Sequence, residues 1–249
     1  MITTLLATLA LTLLAALAPP TDPLPVFSAD PLTIDNELAP FVPGAVKLYR
    51  GKEKGIRTAS IDTFTEITRD FTWNGATVAT RLLEEKDFEN GLLVEVSLNY
   101  YAQADDGGVY LFGEVSWAVE NGAPTTAEGD SWLVGGPVQP GDPPAAHDAT
   151  DPALVMPAEL QVGQVFGHES FPGAAETTTV QAIDVTVTTA AGKFTNAVRA
   201  TEIDDGEDQG EKEIRWMVPG VGIVKNKTNS TRRELLATSL TKLAQEAGP

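Results

Sequence analysis

From about residue 36 onward, apolar side chains recur at every second position over many short stretches, which is the period of half-buried strands and not of helices. In 92–100, Leu92, Val94, Val96, Leu98 and Tyr100 share one face, with Glu95, Ser97 and Asn99 on the other. In 109–119, Val109, Leu111, Val115, Trp117 and Val119 share a face. Asp105-Asp106-Gly107-Gly108 between the two stretches tolerates positive φ, so 92–119 predicts one long hairpin. Ile183, Val185 and Val187 repeat the pattern, as do Ile214, Trp216 and Val218. The chain's 28 threonines suit a pleated surface. Turns are expected at Asn74-Gly75, Asn90-Gly91, Asn121-Gly122 and Ala191-Gly192, for about ten strands in all. Near the end, Thr231 and Glu234 have capping-box spacing. Leu236, Thr238 and Leu240 also share a strand face, and the strand is the favoured reading. The fold class expected is all-β, an antiparallel, strongly curved sheet or partly closed barrel, in a single domain over 36–242.

The flanks read differently. Residues 2–18 are apolar and uncharged and end in Ala16-Leu17-Ala18, the small-x-small pattern of a signal peptide over 1–18. The expected localisation is export, periplasmic or extracellular, with no integral membrane domain once the signal is removed. Pro19, Pro20, Pro23 and Pro25 predict a stiff, extended leader over 19–35 outside the core. Residues 137–152, with five prolines, predict an exposed loop, and 243–249 a tail.

Charge narrows the function classes. With 17 Lys+Arg against 35 Asp+Glu the formal charge is −18, which argues against a nucleic-acid partner. The absence of cysteine removes disulfides, thiolate metal sites and thiol nucleophiles. No Lys or Arg occurs between Lys86 and Lys193, while sixteen acidic residues lie from Asp87 to Asp184. Five bases fall in 47–57 and five in 225–242, so the two groups would form one basic patch if the first and last strands were neighbours. The acidic stretch 202–213 invites a calcium reading. From Asp204, however, an EF-hand's third position is Gly206, and an acidic hairpin turn is the better account. Ser131 lacks the second glycine of a nucleophile elbow, and His168-Glu169 lacks a second His at the zincin spacing. No catalytic residue, metal ligand or cofactor is assigned.

The aromatic residues supply the ligand-binding candidates. Tyr110 and Phe112 fall on the opposite face from Leu111 and Trp117, so this strand is apolar on both sides and something must cover the second face. One reading is ordinary core between a curved sheet and its loops. The sharper one is a cavity lined by Tyr110, Phe112, Trp132 and Trp216 that takes an apolar or amphipathic small molecule.

A set of segments then occurs in order: Tyr100-Tyr101-Ala102-Gln103, Gly107-Gly108-Val109-Tyr110-Leu111-Phe112-Gly113-Glu114, Ser131-Trp132, Met156-Pro157-Ala158, Phe171-Pro172-Gly173, Gly192-Lys193-Phe194-Thr195-Asn196 and Pro219-Gly220-Val221-Gly222-Ile223-Val224-Lys225. Over roughly 36–240 this resembles a family of uncharacterised bacterial exported β-rich proteins. The resemblance implies a curved antiparallel β fold and export, and it implies no activity. The loop at 137–152 is longer than the resemblance leads one to expect, and without cysteine there is no lipid-anchoring motif. The function expected is a non-catalytic module that binds an apolar or amphipathic ligand or an envelope partner. A carboxylate-based hydrolase and a structural envelope protein are the alternatives.

Overall fold

The computed structural model describes residues 24–28, 30–127, 131–167, 176–204 and 211–240, and within them fifteen strands belong to one sheet. Five long strands follow one another: β1 (Val46–Glu53), β2 (Ile56–Trp73), β3 (Ala76–Glu89), β4 (Leu92–Gln103) and β5 (Val109–Glu120). Asn74-Gly75, Asn90-Gly91 and, after β5, Asn121-Gly122 all have positive φ at both residues. That is the two-residue turn whose twist matches the strands it joins. Lys54-Gly55 between β1 and β2 adopts the same geometry, a turn that its composition does not announce.

Five short strands come next: β6 (Ala123–Ala127), β7 (Trp132–Val134), β8 (His147–Ala149), β9 (Ala153–Met156) and β10 (Val165–Phe166). A second series of hairpins follows: β11 (Glu176–Thr189), β12 (Gly192–Asp204), β13 (Glu211–Val218), β14 (Gly222–Lys227) and β15 (Thr231–Thr238). The favoured reading of the final segment as a strand therefore holds as far as Thr238, whereas Leu240 lies beyond the strand. β15 returns to pair with β1, so the order runs β10-β11-β12-β13-β14-β15-β1-β2-β3-β4-β5-β7-β8, with β6 and β9 also on β5.

The all-β class is as expected, with two corrections. The sheet is mixed, because β7 and β8 run parallel with Trp132 opposite His147. It is also not closed: it curls until β9, carried on β5, lies against β10, but among the described residues no ladder joins these two strands.

The long β2 and β3 bend where the register slips between Phe64 and Thr68, the usual consequence of a bulge. Phe64 thereby joins one apolar cluster with Ile34, Phe41, Leu83, Met156 and Met217, while Phe71 and Trp73 join another with Tyr100, Phe112, Trp132 and Leu133. A third cluster gathers Tyr49, Val187, Val218, Val224 and Leu235.

Two segments differ from their sequence reading. The stretch 137–152 is exposed over 137–141, and beyond that buried positions (Pro143, Ala146, Ala149, Pro152) are interspersed with exposed ones. It contains β8, and Asp142 accepts two hydrogen bonds from the buried Arg69 guanidinium, at 2.6 and 2.9 Å. Its prolines hid this docking, which rests on an ion pair rather than on a strand pattern. The described part of the leader also lies on the sheet. Ile34 is buried, and Phe27 meets Trp73, Tyr110 and Phe112 edge-on at 5.3–5.8 Å. Asn36 stitches the leader down by donating to the Gly107 and Pro157 carbonyls, both at 3.0 Å. Prolines stiffen this segment, but the apolar residues between them still find a surface to cover. The expected signal segment 1–18, His168, Phe171-Pro172-Gly173, residues 205–210 of the acidic stretch and the tail lie outside the described residues.

Candidate functional site

The curled sheet encloses a cavity of about 380 Å³ lined from both series of strands, from the leader and from β9. Cross-strand register explains why so many charged groups meet there. Lys47 on β1 stands opposite Asp62 on β2, which stands opposite Glu85 on β3. On the facing wall Arg215 on β13, Asn226 on β14 and Arg233 on β15 stand opposite one another. Directly opposed residues of neighbouring strands share a face, and here that face is the interior.

Arg233 joins the two walls. Its Nη2 lies 3.3 Å from Asp62 Oδ1 and 3.5 Å from Glu85 Oε1, and its guanidinium sits 4.3 Å over the Tyr49 ring. Tyr49 donates to the Ile223 carbonyl at 2.8 Å, and Asn99 donates to Glu85 at 3.0 Å. A second cluster forms beside it, where Arg215 pairs with Glu202 and, at 2.5 Å, with Glu213. Thr178 donates to Glu202 at 3.1 Å. Arg233 Nε and Asn226 Oδ1 are buried in the cavity wall without a hydrogen-bond partner, one donor and one acceptor.

Burial governs the ionisation of this interior. Asp62, 5% exposed, is pushed up to about 7 by burial, with the Glu85 charge adding to the rise and Arg233 opposing it. Glu202 is likewise pushed up to about 7 by burial against the pull of Arg215. Lys47, also 5% exposed, is lowered to about 8 because burial outweighs the stabilising charge of Asp62. Burial would also lower both guanidiniums, but Asp62 and Glu85 around Arg233, and Glu202 and Glu213 around Arg215, hold them above their ordinary value.

The remaining lining is apolar and comes from Ile34, Leu38, Phe41, Phe64, Leu83 and Met156, among others. The cavity lining is therefore mixed, with titratable groups from both walls set among hydrocarbon side chains. Five carboxylates (Asp62, Glu85, Glu114, Glu176, Glu202) face three cations (Lys47, Arg215, Arg233) in its lining, a formal excess of two negative charges. Among the described residues, no group of three or more acidic or histidine side chains is placed to hold a metal ion.

The aromatic candidates lie elsewhere. Tyr110, Phe112 and Trp132 come together in the cluster beneath Phe27, on the far side of β5 from the cavity, and Phe112 and Trp132 are fully buried there. Trp216 is separate from them, next to Lys225, whose Nζ sits 5.3 Å over its ring. None of the four lines the cavity. The groups that do line it, Lys47, Asp62, Glu85, Glu202, Arg215 and Arg233, were not singled out by sequence reasoning, although a signal for them exists. Each continues an apolar face at a spacing of two: Asp62 with Phe64, Arg215 with Met217, Arg233 with Leu235, Glu202 with Ala200.

No family model and no curated protein matches the chain. Two solved structures are similar to it. One is a protein from Bacteroides fragilis, provisionally described as exported, with a YmcC-like fold; it is 11% identical with a TM-score of 0.44, over 79% of this chain and 96% of that one. The other, from Parabacteroides distasonis, is provisionally described as a lipoprotein; it is 14% identical with a TM-score of 0.33, over 80% of this chain and 96% of that one.

Proposed function

We propose that this is an exported, non-catalytic module that holds a small amphipathic molecule inside its curled sheet. The observation that carries this reading is a cavity of about 380 Å³ whose lining mixes charged and apolar side chains, which is within the size range of small-molecule sites. A ligand with a hydrocarbon body and a polar head meets both kinds of lining. The excess of carboxylates over cations favours a head group that donates hydrogen bonds or carries positive charge. The apolar, uncharged run at 2–18 supports export. The test is native mass spectrometry of the chain purified from its own host, before and after solvent extraction, alongside a Leu83→Trp variant that fills the apolar part of the lining. A reproducible extra mass, removed by extraction and missing from a folded Leu83→Trp protein, is the expected result. A bare mass for the wild-type chain in repeated preparations would sink tight binding.

One observation favours a second reading, a carboxylate-based hydrolase: Asp62 and Glu202 both titrate near neutrality inside the cavity. Both are engaged by a guanidinium, which suits an anchored wall better than a free nucleophile. If the hydrolase reading holds, Asp62→Asn abolishes turnover of the extracted molecule while the variant still retains it.

A further inference from the structure

The outward face of β12 to β15, β1 and β2 concentrates cations in a chain that is otherwise acidic. One cross-strand row runs Arg199, Trp216, Lys225, Glu234 and Arg50. The next runs Lys227, Arg232, Lys52 and Arg57. The two rows hold seven cations and one carboxylate, Glu234, which is shared by Arg50 at 3.3 Å and Arg232 at 3.1 Å. Lys52, Arg57 and Lys227 are exposed, and none of the described carboxylates forms an ion pair with them.

Like charges placed directly opposite on paired strands destabilise a sheet. A chain with 35 acidic residues has ample means to break up such a row, yet four cations stand in register. Trp216 lies half-buried within the patch, and Leu236 on β15 is 42% exposed beside it. A groove of about 480 Å³ is lined by Trp216, Lys225, Arg50 and Arg232 of the patch together with the uncharged residues 186–190 beside it.

We propose that this face docks onto an anionic lipid bilayer, with head-group phosphates as the missing counter-charges. Six strands at ~4.8 Å spacing spread the cations over about 24 Å, wider than one dissolved phosphate can bridge and suited to a planar array of them. Tryptophan, lysine and arginine are the residue types that sit at a bilayer surface. The negative charge on the rest of the molecule does not prevent docking, because its repulsion is screened within ~8 Å at physiological salt. The proposal is independent of what occupies the cavity.

The test is cosedimentation of the full chain with vesicles of phosphatidylglycerol and phosphatidylcholine, compared with phosphatidylcholine alone. Binding only to the anionic vesicles, weakening steeply with salt, is expected. Lys52→Gln with Arg232→Gln should weaken it about thirty-fold, whereas Lys86→Gln with Lys193→Gln, which removes the same charge from outside the patch, should leave it unchanged. Far-UV circular dichroism establishes that both double variants are folded. No binding to anionic vesicles, or equal loss in the two double variants, would overturn the proposal. So would binding of dissolved pyrophosphate as tight as binding to vesicles, or a vesicle-free self-association that the first pair of substitutions abolishes, which would assign the patch to a second copy of the chain.

Discussion

Replacing Asp62 by Asn should flatten the pH dependence of stability between pH 5 and 7. In the fold this carboxyl stays protonated until about 7, whereas in the unfolded chain it titrates near 4. A raised acid contributes stability that is fully present below the unfolded value and is lost as pH rises through the folded one. The slope approaches 1.4 kcal/mol per pH unit, so between pH 5 and 7 the loss for Asp62 alone is about 2 kcal/mol. Glu202, also raised to about 7, adds a loss of the same sign and similar size. Asn keeps the size and neutrality of the protonated acid and removes its titration, so the variant should lose less stability by about 2 kcal/mol over this interval. Urea unfolding followed by the fluorescence of the four tryptophans, at pH 5, 6 and 7, measures the difference, and groups common to both proteins cancel. Parallel pH profiles for wild type and Asp62→Asn would show that Asp62 titrates as an exposed carboxyl, and the argument that burial raises it would fail.

Three other outcomes follow from the packing. Asp142→Asn leaves the Arg69 guanidinium, 8% exposed as its partner is, buried beside a neutral side chain. It should cost about 3 kcal/mol in urea unfolding and expose 137–152 to limited proteolysis. Gly113→Ala brings a methyl to 2.8 Å from the Trp132 carbonyl and from Leu133 Cδ2, so β7 must move; a loss of about 1–3 kcal/mol in urea unfolding is expected. Phe27→Ala uncovers Phe112 and should cost roughly 3 kcal/mol, with faster protease cleavage near residue 27 as the local readout.

The strands and their hairpins were legible because period-two alternation and Asn-Gly turns are local signals, and Asn74-Gly75, Asn90-Gly91 and Asn121-Gly122 turn where expected. The pairing of β1 with β15, which brings the two basic segments of the chain together, was foreseeable only as a condition. The mixed and unclosed sheet was not legible. The parallel β7–β8 pair and the gap between β9 and β10 depend on short segments whose partners are set by packing. The leader was misjudged because proline content reports stiffness and says nothing about what Phe27 and Ile34 touch.

The cavity was hidden for a different reason. Alternation assigns residues to two faces but does not say which face is inside. On β4 the apolar face, with Leu98 and Tyr100, packs under β7 and Trp132, while the polar face, with Ser97 and Asn99, points into the interior. The usual assumption that polar residues face solvent therefore inverts this strand.

That inversion also bears on why the interior exists. Burying Lys47, Asp62 and Glu202 and half-burying Arg215 and Arg233 around a space of about 380 Å³ incurs a desolvation penalty that ion pairing often fails to recover. Well-packed apolar side chains of similar volume commonly give a more stable core. The sheet elsewhere packs such cores without difficulty, around Phe112 and Trp132 on one side and around Val224 and Leu235 at the other. The same chain thus carries out both solutions: the costly one recurs in the Arg69–Asp142 pair and is concentrated around the cavity, where Arg233 Nε and Asn226 Oδ1 stand without partners. A donor and an acceptor left open in this pocket are the groups that the polar head of the proposed ligand would complete.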